Sequence, residues 1–276
     1  MAELIAVRTG FVLRRPGLVL ATLVLLLVLA WALAPGLFTH YDPLSGVPRQ
    51  KLQAPSAAHL FGTDETGRDV FARVVHGAGL SLRAAVSAVL ISLVAGSALG
   101  LIAGARGGWL DAVLMRFMDV LLAVPPILLS LALVTGLGFG TTKVAIAVGV
   151  ANVANFARLM RAEVLRVRTG VYVEAARAGG VRWYGVLTRH ILPNAAGPVL
   201  VLAVLTFGTA VLEISALSFL GYGAAPPTPE WGSLVAGGRS YLASAWWMTT
   251  LPGLVIAAVV LSANRISRAL EGERHD

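Results

Sequence analysis

Cysteine is absent from this chain of 276 residues. That excludes a disulfide framework, a thiolate nucleophile and any cysteine-ligated metal site. Lysine is almost absent as well, with Lys51 and Lys143 the only two. A phosphate-cradling nucleotide loop needs Gly-Lys-Ser/Thr, yet Lys51 follows Gln50 and Lys143 precedes Val144, so the chain cannot hydrolyse ATP through such a loop. Charged residues make up 13% of the chain, about half the roughly 25% of soluble domains. The five histidines, at 40, 59, 76, 190 and 275, all fall outside the segments expected below to span a membrane. A membrane-embedded enzyme would need a His/Glu metal set, paired aspartates or a Ser/His pair inside those segments, and none is there.

What is present is apolar. Hydrophobic residues reach 57% and glycine numbers 30, with a mean hydropathy of +0.79. No Asp, Glu, Lys or Arg occurs between Arg15 and Asp42, Arg83 and Arg106, Asp119 and Lys143, Arg189 and Glu213, or Arg239 and Arg265. Each run is longer than the ~20 residues a helix needs to cross a ~30 Å hydrocarbon core. A shorter run between Lys143 and Arg158 suffices if both long side chains snorkel to the interfaces. The expectation is an all-α polytopic membrane protein of about six transmembrane helices, near 17–37, 82–104, 119–138, 143–164, 195–220 and 246–267.

The net charge of +8 raises nucleic acid as a ligand, but its distribution argues for membrane orientation instead. With the N-terminus inside, fifteen basic residues fall on inner segments, from Arg8, Arg14 and Arg15 to Arg268 and Arg274. Seven fall outside or at span ends: Arg49, Lys51, Arg68, Arg73, Arg83, Lys143 and Arg239. The positive-inside rule then places both termini in the cytoplasm. The apolar core of the first span, Leu18 to Leu33, exceeds the ~7–15 residues of a cleavable signal, so an uncleaved anchor is expected.

Several features along the chain carry alternative readings. In the outer segment, Phe38 to Gly79, the residues Val70, Phe71, Val74 and Val75 oppose Arg68, Asp69, Arg73 and His76. That pattern predicts an amphipathic helix on the outer membrane surface, with Thr63 and Asp64 as N-caps. Catalysis by Asp64, Glu65, Asp69 and His76 lacks a nucleophile or metal spacing. Ser92, Gly96, Gly100 and Gly104 recur every four residues, a flat groove for a close helix, either in this chain or in another subunit. Pro125 and Pro126 should kink the third span. Glu213 is the one carboxylate deep in an apolar run; with Asn152 and Asn155 it is a gate or pathway candidate, or else part of a buried network near the outer face. Trp246 and Trp247 are placed at the interface, and Trp231 there or in a re-entrant element.

Between the fourth and fifth spans lies YVEAARAGGVRWYGVLTRHILPN, Tyr172 to Asn194. A short helix carries Glu174, Ala175 and Ala176; Gly179 and Gly180 break it; a second helix leads to His190 and is stopped by Pro193. Small alanines let a partner surface approach. So compact a helix–turn–helix in one loop reads as a docking lever.

This stretch resembles the cytoplasmic signature of the inner-membrane permeases of ABC importers: Glu-Ala-Ala, three residues, Gly, nine residues, Ile, one residue, Leu-Pro. Glu174, Ala175, Ala176, Gly180, Leu192 and Pro193 match in register, while His190 replaces the Ile. RHILPN, HLFGTDETGRDVFARVVHGAGLSL, RFMDVLLAVPPILL and EISALSFLGYGAAPPTPEWG are similar to the C-type subunit of the dipeptide/oligopeptide/nickel branch. The resemblance implies a type I importer fold, with residues 1–79 as anchor and outer segment and 80–276 as permease domain with its coupling loop at 165–193. It implies a homologous B-type permease, two ATPases that hold ATP and Mg, and an extracytoplasmic binding protein as partners. It implies no cofactor or metal in this chain, no nucleic acid, and a bacterial inner membrane. Peptides are the expected cargo, with nickel chelates or another small solute as the alternative. An ion-coupled secondary transporter would need more intramembrane ionisable groups than Glu213 supplies, and no inverted repeat is evident.

Overall fold

A computed structural model describes residues 16–272 of the chain. Arg8, Arg14, Arg15, Arg274, His275 and both termini lie outside the described residues. Helices are α1 Pro16–Leu33, α2 Val70–Arg106, α3 Gly108–Leu122, α4 Pro126–Leu137, α5 Thr141–Val167, α6 Val171–Ala178, α7 Trp183–Val186, α8 Leu192–Phe219, α9 Trp231–Gly238 and α10 Trp247–Gly272. Among the described residues there is no strand, only the isolated bridge Thr63–Asp69. Five helical segments are long and apolar enough to cross a membrane; α3 and α4, bent by 92° at their junction, make a sixth if taken as one broken span. The chain is therefore all-α and polytopic. The bend follows from Pro125 and Pro126: neither can donate a helical N–H, and each ring crowds the preceding turn. It is a break rather than the expected kink.

Contacts gather the chain into two compact units, one from Met1–Val86, Leu137–Ala145 and Phe207–Asp276, the other from Ser87–Gly136 and Ile146–Thr206.

In the first unit, the outer segment departs from expectation. Its amphipathic stretch is no separate surface helix but the opening turns of α2. Asp69 caps them, its Oδ1 accepting from the Ala72 N–H at 2.7 Å, so Asp69 and not Thr63 or Asp64 is the N-cap. Val70, Val74 and Val75 are buried, yet so are Asp69 and Arg73 on the other face. Loop backbone covers that polar face: Arg73 donates to the carbonyls of Pro43 at 2.8 Å and Pro227 at 3.3 Å. A helix satisfied on both faces by protein has no apolar side left for a membrane surface.

Two of the tryptophans depart from the interfacial position. Trp246 is half exposed, but Trp247 is buried and donates to the Thr63 carbonyl at 3.1 Å. Trp231 is wholly buried at the start of α9, its indole N–H bonding Val74 O at 2.9 Å. Each indole finds its acceptor in protein backbone, which makes burial cheaper than the interfacial position.

In the second unit, α2 packs on α5 through its small residues. Ser92 donates to Gly149 O at 2.9 Å. A Cβ at Gly96 would strike Phe156 and the Val153 carbonyl, one at Gly100 the Ala157 carbonyl, and one at Gly104 the Val164 side chain. The groove is thus filled by a helix of the same chain. The polar sides of α3 and α5 are joined by Arg161, which forks onto both Asp111 oxygens at 2.5 and 2.6 Å, and by Arg158 to Asp119 at 2.5 Å.

Candidate functional site

The loop singled out in the sequence folds as a rigid surface feature. Helix α6 ends at Gly179, and Gly180 follows with φ of +78°. The Gly180 N–H bonds Arg177 O at 3.0 Å and the Val181 N–H bonds Ala176 O at 3.1 Å. These two bonds form a Schellman termination, whose left-handed residue is normally glycine. Helix α7 then passes through a π-helical turn, Leu187–Ile191, directly into α8. Pro193 does not stop this helix, contrary to expectation. The wider turn, with the Leu192 N–H reaching Leu187 O, relieves the clash a proline ring makes with the carbonyl four residues back.

One apolar cluster fastens the loop to the spans. Val173 of α6, Val186 of α7 and Ile191 of the π turn are buried with Phe156, Met160 and Val164 of α5 and Ala195 and Val199 of α8. Ala176 and Leu192 pack against it, half-buried. His190 is half-buried and Pro193 exposed. The Arg168 guanidinium donates to Gly104 O at 2.9 Å, and Arg106 lies over the Trp183 ring at 5.9 Å. α6 is thus joined to α5 and α8 through packed side chains rather than through a soft linker.

The outward side of the loop is the opposite in character. Glu174, Ala175, Arg177 and Gly180 are exposed, and large apolar groups surround them: Val171 at 82% exposure, Tyr172 at 48%, Trp183 at 65% and Tyr184 at 51%. Contiguous exposed apolar groups beside charged ones are a common feature of interaction surfaces. The sequence pointed to Glu174 to Pro193 but not to this aromatic rim. The signal was there, in the WY pair after the turn.

The remaining candidates are placed separately. Asn152 is buried on α5 with its amide on Val148 O at 3.0 Å, and Asn155 reaches Asn152 Oδ1 at 3.5 Å. Glu213, on α8 in the other compact unit, is half-buried and interacts with a neighbour. Gly96, Gly100 and Gly104 are packing positions, as described. Of the four outer residues weighed for catalysis, Asp64 and Asp69 are tied into structure. Burial pushes the Asp64 carboxyl up, but bonds from the Arg68 N–H, the Thr66 hydroxyl and N–H, and the Arg68 guanidinium outweigh it and hold it below the usual carboxylate range. Asp69 Oδ2 lies 2.9 Å from His59 Nδ1, both buried. No group of three His, Cys, Asp or Glu that could hold a metal occurs among the described residues.

The sequence did not flag Glu230, which the structure shows to be a buried junction. At 1% exposure it accepts from Ser218 Oγ at 2.6 Å, the Ala224 N–H at 2.8 Å and Thr141 Oγ1 at 3.3 Å. It lies in a loop rich in proline and glycine, where a carboxylate usually means solvent.

The helices are long and apolar enough to span a membrane, and the loop between α5 and α8 is locked into their packed core. Residues 96–274 match the family described as binding-protein-dependent transport system inner membrane component, and the chain belongs to that family. It is 45% identical over 223 residues to the dipeptide transport system permease protein DppC of Alkalihalophilus pseudofirmus, covering 81% of this chain and 73% of that one. It is 40% identical over 243 residues to a probable D,D-dipeptide transport system permease protein of Escherichia coli, covering 88% and 80%. The glutathione transport system permease protein of Pectobacterium atrosepticum is 38% identical over 259 residues, covering 94% and 86%. Among solved structures, the MetNI methionine ABC transporter in inward-facing conformations superposes with a TM-score of 0.57 at 21% identity, over 72% of this chain and 96% of that chain. That likeness concerns the fold alone.

Proposed function

We propose that this chain is a permease subunit of an ATP-driven importer that passes di- or oligopeptides across the bacterial cytoplasmic membrane. Its partners are a homologous second permease, two ATPase subunits and an extracytoplasmic binding protein. ATP and Mg belong to the ATPases, and this chain binds no cofactor and performs no hydrolysis. The peptide assignment draws on the relatives named for dipeptide and D,D-dipeptide transport.

The observation that carries the coupling role is the two-sidedness of the loop. Its outer side offers Glu174, small alanines and an aromatic rim to a partner, while its inner side is one buried cluster with α5 and α8. ATP-driven closure of two docked ATPases pushes on α6, and the cluster passes that motion to the transmembrane helices. Replacing Gly180 with isoleucine tests this. Nothing lies within 4 Å of a Cβ there, so the variant meets no collision, but the left-handed backbone costs a β-bearing residue about 1–2 kcal/mol. The chain should insert normally and the turn should rearrange, with ATP-driven peptide uptake in proteoliposomes falling about tenfold, the factor that 1.4 kcal/mol represents. Glu174→Lys should weaken co-purification of the ATPases. Normal uptake by both variants would sink the coupling role.

Both termini and α6 face the cytoplasm in this reading, because the arginine-rich segments cluster there. The lack of native cysteine makes the test simple. A membrane-impermeant maleimide should label Ala57→Cys in intact spheroplasts and Ala178→Cys only after lysis. The reverse pattern would invert the topology.

A further inference from the structure

We infer that the groove between α1 and α10 is a binding site for one anionic phospholipid. The inference needs only that the chain spans a membrane, not that it carries peptides.

The groove has a volume of about 450 Å³, within the ~300–1,000 Å³ of small-molecule sites. Its two walls are complementary helical stripes. On α1, Gly17, Leu20, Ala21 and Val24 recur at helical spacing, and on α10, Ala258, Leu261, Arg265 and Arg268 do the same. The lower part is thus mostly aliphatic, interrupted by Ser262, and the upper part carries Asn264 and two guanidiniums. Gly17 makes room for one of them: Arg265 Nε lies 3.4 Å from where a Cβ at residue 17 would stand. A larger residue there would displace the guanidinium from the wall.

Position along the helices fixes the depth. Arg265 is the first charge after the neutral run that begins beyond Arg239, and Gly17 opens the neutral run that follows Arg15. Both helices therefore leave the hydrocarbon at the same level, where the arginines stand. The aliphatic stripe continues into the acyl region from there. A cavity with that division matches a phospholipid, phosphate at the arginines and chain along Leu20, Val24 and Leu261.

Charge selects the headgroup. Among the described residues, neither Arg265 nor Arg268 makes an ion pair or hydrogen bond, while Arg158, Arg161 and Arg166 all have carboxylate partners. Two exposed, uncompensated guanidiniums at the rim of an apolar groove attract a phosphodiester that carries net negative charge, and planar forks bind its oxygens in pairs. A zwitterionic lipid brings its own cation and gains less. Basic pockets between transmembrane helices are recognised sites for anionic headgroups.

The test uses the full chain purified in detergent, stripped of lipid and offered phosphatidylglycerol or phosphatidylcholine of the same acyl length, with retained lipid counted by native mass spectrometry. Wild type should retain one phosphatidylglycerol in clear preference to phosphatidylcholine. Arg265→Gln and Arg268→Gln should each weaken retention about fivefold, and the pair about 25-fold. Arg265→Lys/Arg268→Lys keeps the charges and should stay within a few-fold of wild type, which separates loss of charge from loss of fold. If the double Gln variant fails to purify, Arg268→Gln alone reads the same effect. Equal retention of the two lipids, or retention unchanged by the Gln variants, overturns the site. Displacement by inorganic phosphate at millimolar concentration also overturns it, by showing a soluble-anion site. Retention that appears only when residues 273–276 are deleted overturns it too, by showing that the chain's own acidic tail is the occupant.

Discussion

A chain carrying Gly100→Leu is expected to lose most of its folded yield. Helix α2 crosses α5 with backbone nearly touching backbone, and a Cβ at residue 100 would run into the Ala157 carbonyl and Met160. Neither obstacle is the free end of a flexible side chain, so the helices must separate. Separation loses the close packing that holds helices together in lipid and also pulls on the core behind it, because Phe156 and Met160 belong to the cluster that anchors the loop of α6 and α7. Overpacking typically costs about 1–3 kcal/mol even where side chains can yield, so a backbone collision should cost at least about 3 kcal/mol, against total stabilities of about 5–15 kcal/mol. Gly136→Leu is the matched control, since nothing lies within 4 Å of a Cβ there. Size-exclusion yield and thermal midpoint in detergent should fall sharply for Gly100→Leu and stay near wild type for Gly136→Leu. Equal behaviour of the two would mean that the α2–α5 contact is dispensable.

Glu230→Leu should be comparably severe. Glu230 joins three segments of one compact unit: the first turn of α5 through Thr141, the end of α8 through Ser218, and the loop backbone through Ala224. Leucine fills similar space but accepts nothing. Three donors then lose their acceptor in a buried place, and each such loss costs about 1–3 kcal/mol. The expected total is about 3–9 kcal/mol. Glu230→Gln retains one acceptor oxygen, and Ser218 can turn its hydroxyl to meet the new amide, so the cost should be about 1–2 kcal/mol. Thermal midpoints should therefore rank wild type, Gln, Leu, with a wide gap before the last. A Leu variant as stable as the Gln variant would show that the hydrogen bonds at this junction contribute little.

Most of the membrane architecture was legible in the sequence because lipid is an unforgiving solvent. Charges are excluded from it so strongly that the neutral runs alone marked the spans, including the short one after Lys143 that became α5. Pro125 and Pro126 declared a break, although not its 92° angle. The small-residue stripe on α2 was equally plain; which helix would fill it was not, since a groove does not name its partner. The turn at Gly180 could be read because a Schellman termination is local, needing only glycine and the residues on either side. Pro193 misled for the converse reason: whether a proline ends a helix depends on whether the preceding turn can widen.

What the sequence determined by itself is therefore what depends on the solvent and on neighbours a few residues away: an all-α polytopic chain, the approximate place of each span, and a helix–glycine–helix turn between the fourth and fifth. What only the tertiary structure decided is where polar groups are satisfied from a distance. Asp69 and Arg73 look like the wet side of a surface helix until the Pro43 and Pro227 carbonyls arrive from segments 30 and 154 residues away to cover Arg73. Trp231 and Trp247 look interfacial until Val74 and Thr63 offer acceptors, and Glu230 looks solvated until Ser218 and Thr141 close over it. Burial of a polar group is favourable only when its partners are present, and those partners are brought together by folding rather than by sequence proximity.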